Sequence, residues 1–181
     1  MKANSEVIVS YADSINRTER EKLELVRTYW AEKRGDRLMP ARREIDPLDI
    51  IPALPNVIII EVQRDPVDFL YRLIGTEVDK HSTQSYTGHK VSEIPHRAPP
   101  STVWENLMMV TKEKTPSCQR VPYVGPGYDF TETRQVLLPL SDDGTTVDHL
   151  LAVIVYLRKT DIVETGESFT LSEGPASLPE E

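Results

Sequence analysis

Two β-branched runs, "NVIIIEV" (56–62) and "FLYRLIG" (69–75), flank the turn-rich "QRDPVD", and the second is cut off at Gly75 by a long polar, glycine-marked segment (76–94). β-Branched and aromatic residues fit a pleated surface and Asp-Pro favours a turn, so the runs read as an antiparallel hairpin. The segment after Gly75 is too polar for regular sheet. One or two single-turn helices are expected there, on either side of a turn at Tyr86-Thr87-Gly88. A chain that leaves a strand this way has to cross the sheet before it returns.

Upstream, Thr18 followed by Glu21 has the spacing of a capping box, and Leu23, Val26, Tyr29 and Trp30 recur at helical spacing before Gly35 supplies a stop. The opposite face of this helix is heavily charged, so its apolar stripe has to cover the domain or meet a partner. The connector "MPARREIDPLDIIPALP" (39–55) holds Pro40, Pro47, Pro52 and Pro55, which forbid a long helix but allow a short turn after Asp46. Downstream of "PHRAPP" (95–100), a second amphipathic helix is expected from a Ser101 or Thr102 cap, with Val103, Leu107 and Val110 on one face. Three strand candidates end the pattern: "SCQRVPYV", "YDFTETRQVLLPL" and "HLLAVIVYL", separated by the turns "GPG" and "SDDGTT". The last is apolar at nearly every position, as suits a strand covered on both faces. The order predicts an α+β domain: a five-stranded antiparallel sheet, inserted helices on one face and the N-terminal helix available for the other.

The net charge of -8 over 181 residues is concentrated at one end. Residues 160–181 carry six acids and no base; removing those six from the 29 acids leaves 23 against 21 bases in the rest. The body is nearly balanced, so sequence-independent nucleic-acid binding is not expected. The segment boundaries read as a flexible N-terminus (1–16), the helix with its connector (17–55), the core (56–158) and an acidic, disordered tail (159–181). One cysteine, Cys118, and four histidines make neither a disulfide framework nor a cysteine-based zinc site, and no metal is expected. With no apolar run of membrane-spanning length and no leader pattern at the N-terminus, a cytoplasmic, membrane-free protein is expected. Motifs for a nucleophile elbow, zinc protease, phosphate loop or dinucleotide site are missing, so catalytic residues are not assigned. Asp142-Asp143-Gly144 reads as a hairpin turn rather than a working carboxylate pair.

The element order, together with "YW" (29–30), "RREIDP" (42–47), "ALPNVIIIEV" (53–62), "YRLIGTEV" (71–78) and "TGHKVSEI" (87–94), resembles a bacterial PAS-domain family over roughly residues 25 to 158. The resemblance implies a sensory or interaction module with a cavity between the sheet and the inserted helices. Signalling would then act in trans, through a small-molecule ligand or a regulatory protein partner. Related flavin photosensors carry a cysteine on the inserted helices; none stands between residues 76 and 94, so flavin is not expected. A haem sensor would need a histidine there, which leaves His81, His89 and His96 to consider, each with solvent exposure as its ordinary reading. An enzyme acting on a small substrate in the same cavity is the competing reading.

For the cavity itself, the period of two places Phe69, Tyr71 and Leu73 on one face of the second strand, and this face is expected to line it. Tyr86, His89 and Trp104 join as apolar bodies with polar tips. Arg72 and Arg134 stand in apolar strands, where a guanidinium needs a carboxylate, the sheet margin or a ligand; structural pairing is the favoured reading for both. Leu23, Val26, Tyr29 and Trp30 are assigned to a helix that serves as lid or as a homodimer contact.

Overall fold

The computed structural model describes residues 17–123 and 130–158. The expected "GPG" turn, the N-terminal 16 residues and the acidic tail lie outside the described residues.

The hairpin forms as expected, β1 (Val57–Gln63) against β2 (Asp68–Ile74), and the remaining strands are β3 (Ser117–Pro122), β4 (Phe130–Leu140) and β5 (His149–Arg158). They build one antiparallel sheet in the order β2-β1-β5-β4-β3, so the last strand in the chain takes the centre. That position explains its composition. Leu150, Leu151, Ala152, Val153, Val155 and Leu157 are all buried, because one face of β5 meets the inserted segment and the other meets the N-terminal helix.

The helix α1 (Arg17–Arg34) covers the outer face of the sheet. Its assigned start precedes Thr18, so Thr18 lies within the helix rather than capping it. Gly35 ends it in the left-handed region (φ +56°), its N–H donating to the Ala31 carbonyl. Leu23, Val26, Tyr29 and Trp30 are buried beneath it, and the Trp30 indole donates to the Pro139 carbonyl at 2.9 Å, tying helix to β4. The stripe is thus occupied within its own chain, and a homodimer built through it would require the helix to leave the sheet.

After α1 the connector does more than make one turn. Asp46 caps a 3₁₀ run (Pro47–Asn56) by accepting from Leu48 N–H at 2.9 Å, and non-helical geometry at Ile50 kinks it. Tyr29 fixes the connector from above: its hydroxyl accepts from the Asp46 N–H at 2.7 Å. The chain then enters β1, and at the far end of β2 it passes so close to the connector that Gly75 leaves no room for a side chain.

Beyond Gly75 come the short helix α2 (Thr76–Lys80), the turn at Gly88 (φ +85°), and a 3₁₀ turn (Val91–Glu93). The turn is fastened to the free edge of β2. Gly88 N–H donates to the Tyr71 carbonyl at 2.8 Å, and Tyr71 N–H donates to the His89 carbonyl at 3.1 Å. The helix α3 (Thr102–Glu113) follows, capped by Ser101, whose hydroxyl accepts from Trp104 N–H at 3.1 Å.

Candidate functional site

Side-chain alternation along the central strands decides what faces the inserted segment. Ile58 and Ile60 of β1, Thr133, Gln135 and Leu137 of β4, and Ala152, Ile154 and Tyr156 of β5 all point to that side. With Tyr71, Val78 and His81 from the β2–α2 region, Arg97, Val103 and Leu107 around the start of α3, and Tyr123 after β3, they enclose a cavity of about 80 Å³.

Polar groups on two sides give the cavity its chemistry. The His81 ring stacks on Tyr156 (centroids 3.7 Å apart, 24° between planes) and its Nδ1 lies 3.1 Å from the Tyr123 hydroxyl. Its Nε2 is 3.6 Å from a Glu77 carboxylate oxygen, so a polar chain Glu77–His81–Tyr123 runs along one wall. Burial holds the His81 imidazole below its ordinary value, with Glu77 pulling the other way, and the ring is neutral at pH 7. Burial likewise pushes the Tyr156 phenol well above its usual range. Opposite, Arg97 donates from Nη1 to the Tyr71 hydroxyl at 3.1 Å and from Nη2 to Ser82 Oγ at 3.5 Å. Its guanidinium lies over the rings of Tyr71 and Tyr86, 5.5 and 4.8 Å from their centroids.

Of the seven side chains expected to line the cavity, Tyr71 does so. Leu73 does not. Ile59 and Ile60 pair with Leu73 and Tyr71, which leaves Arg72 as an extra residue, and this bulge reverses the alternation. Leu73 therefore falls on the outer face, 44% exposed, in a shallow apolar groove with Ile59, Ile51 and Leu151. Phe69 is wholly buried with the half-buried Trp104 packed edge-on at 5.1 Å, and neither lines the cavity. Tyr86 is buried behind Arg97, with its hydroxyl 3.1 Å from Thr83 Oγ1, and His89 is exposed, contributing its backbone to the β2 edge. Arg134 is on the outer face. It donates to Glu132, two residues away on the same strand, at 2.9 Å, and Glu132 also pairs with Arg120. Arg72 pairs with Glu61 at 2.5 Å, so each of the two arginines has a carboxylate partner within the sheet.

Sequence reasoning missed Arg97, Tyr123 and Tyr156 as lining residues and considered His81 for haem alone. Arg97 had one available signal, an arginine set among prolines in "PHRAPP" immediately before a helix cap. The cavity's volume of about 80 Å³ is small beside the roughly 300 Å³ or more typical of sites that bury drug-sized ligands. Cys118 is exposed on β3, away from the inserted segment. Among the described residues no cluster of side chains could hold a metal ion, and no helix is long and apolar enough to cross a membrane.

A central five-stranded antiparallel sheet, with a short-helix segment folded over one face to enclose a cavity, defines a class of sensory domain. A PAS-domain family model matches residues 18–155, and the chain belongs to the PAS domain family. The match takes in α1 as well as the sheet. Among solved structures the chain is similar to a fungal LOV domain photoreceptor, with 15% identity and a TM-score of 0.42 over 64% of this chain and 94% of that one. No curated protein matches it.

Proposed function

We propose that this PAS domain is a non-catalytic sensor that takes a small molecule into the cavity between the sheet and the inserted segment and reports its presence to a protein partner in trans. The observation carrying this reading is the cavity itself, where apolar walls from β1, β4 and β5 surround convergent polar groups drawn from widely separated parts of the chain. Output passes, in this reading, through the sheet: β4 and β5 present one face to the cavity and the other to α1, so a shift in those strands reaches the helix directly. Displacement of α1 would expose Leu23, Val26, Tyr29 and Trp30, and self-association or partner binding through them belongs to the same proposal.

The experiment is a fragment screen by NMR on the uniformly ¹⁵N-labelled full chain. Small fragments that perturb the amides of Tyr71, Thr133, Gln135 and Ile154 support the reading. A screen in which no fragment perturbs those amides contradicts it.

A further inference from the structure

Among the residues lining the cavity, Arg97 carries the net charge at neutral pH: His81 is neutral there, and the lining contains no aspartate or glutamate. A guanidinium has five N–H donors. Two protein acceptors meet them here, Tyr71 Oη and Ser82 Oγ, and both are neutral hydroxyls. Several other arginines have a carboxylate: Arg72 has Glu61, Arg134 and Arg120 share Glu132, Arg37 has Glu44; Arg42 and Arg64 instead donate to the backbone carbonyls of Ile45 and Val147, outside the cavity. Arg97, half-buried, has no carboxylate partner among the described residues. A half-buried cation whose protein partners are neutral hydroxyls favours an anion, and a planar guanidinium favours the planar, two-oxygen geometry of a carboxylate.

Size narrows the class further. A water molecule needs about 10–15 Å³ of such space, so a cavity of about 80 Å³ suits a ligand of about five to eight non-hydrogen atoms. The apolar walls of Ile60, Val103, Leu107 and Ile154 match a short carbon chain, and the polar side chains of Thr133, Gln135 and Tyr123 share the same lining, where a second ligand oxygen would meet them in place of or beside their present partners. From these observations we infer that the cavity takes a short-chain monocarboxylate, such as a hydroxy or keto acid of three or four carbons, with its carboxylate on Arg97. This rests on the reading of the cavity as a ligand site, and it deepens that reading by naming the chemistry.

The test is calorimetric titration of the full chain with pyruvate, lactate and propionate, and with propionamide as a neutral match in shape. Heat of binding and a rise in Tm are expected with at least one acid, with propionamide at least tenfold weaker. Arg97→Gln should weaken the acid at least tenfold, and Arg97→Lys, which keeps the charge but loses the fork, should lie between. Should Arg97→Gln fail to fold, by its circular dichroism and Tm, Tyr71→Phe serves instead: it removes the hydroxyl that steers the guanidinium and should weaken the acid severalfold. Equal binding of acid and amide overturns the carboxylate assignment and leaves the cavity as a ligand site for neutral molecules; undiminished acid binding in the folded variants overturns Arg97 as the residue that receives the carboxylate. No binding of any of the four also overturns the assignment, and the fragment screen then decides separately whether the cavity binds anything.

Discussion

A methyl group added at Gly75 would collide with the backbone carbonyl oxygens of Leu54 and Pro55, although the backbone there is extended and suits any residue. Close approach, not conformational freedom, is what demands glycine. Neither carbonyl can swing away, since both belong to the 3₁₀ run that leads into β1. Gly75→Ala should therefore cost about 1–3 kcal/mol, the usual range for overpacking, read as a lower midpoint in urea denaturation. Unchanged stability would mean that the connector does not pass there. A second residue-scale prediction concerns His81, held below its ordinary value of 6.5 by burial, with Glu77 raising it, Lys80 lowering it and the rings of Tyr123 and Tyr156 against it. Just below pH 6.5 the unfolded chain binds a proton that the folded ring resists. The stabilising contribution is thus complete above pH 6.5 and is lost as the pH falls from there through the folded value. His96, lowered by burial and by Arg97, adds with the same sign. The carboxylates of Glu24, Glu44 and Glu77, each lowered by a basic partner, act in a separate window below pH 4.5. His81→Phe, which keeps the stack on Tyr156, should flatten the fall in stability between pH 7 and 5. An unchanged slope would contradict a neutral, buried His81.

Elements with local signatures were readable in the sequence. The cap at Ser101, the stop at Gly35 and the turn in which Asp143 accepts from the N–H groups of Thr145 and Thr146 each depend on a few adjacent residues. The doubly covered character of β5 was visible because a central strand lacks alternation. What escaped was set by pairing. The bulge at Arg72 exists because β2 fits one extra residue against β1, and no periodicity within β2 announces it; Leu73 changed faces as a result. Arg134 was expected to meet a carboxylate, the sheet margin or a ligand, and the period of two already put Glu132 on its face, yet which side of the sheet that face looks toward came from the topology. Because this pair is buried, Arg134→Met should destabilise by about 3–5 kcal/mol, since Glu132 would keep a charge answered by the exposed Arg120 alone. Adding Glu132→Gln to that variant should recover part of the loss. A single substitution with less than about 1 kcal/mol of effect in chemical denaturation would contradict a buried pair.

At the scale of the whole molecule, the cavity joins residues far apart in the chain: Tyr71, His81, Arg97, Tyr123 and Tyr156 come from the β2 edge, the end of α2, the proline-bounded stretch before α3, the position just after β3 and the C-terminal part of β5. Their assembly follows from the strand order and from the fastening of the Gly88 turn to Tyr71, neither of which is encoded in any one segment. This is why the family resemblance located a cavity while single-segment reasoning misassigned most of its lining. The same architecture makes α1 the cover of the outer face, so a chain beginning after residue 34 should expose an apolar surface and either aggregate or lose Tm. If sedimentation showed a well-behaved monomer of unchanged thermal stability, α1 would cover nothing. The central claim is that Arg97 receives a small carboxylate inside the cavity. The most direct measurement follows the Arg97 side-chain Nε–H resonance and the backbone amides of the ¹⁵N-labelled chain during titration with pyruvate and lactate. The account predicts that at least one acid shifts the Arg97 Nε–H together with Tyr71, Thr133, Gln135 and Ile154, with smaller shifts carried to Trp30 through β4. Shifts confined to exposed arginines such as Arg27 and Arg37, with Arg97 and the cavity amides unmoved, would contradict it.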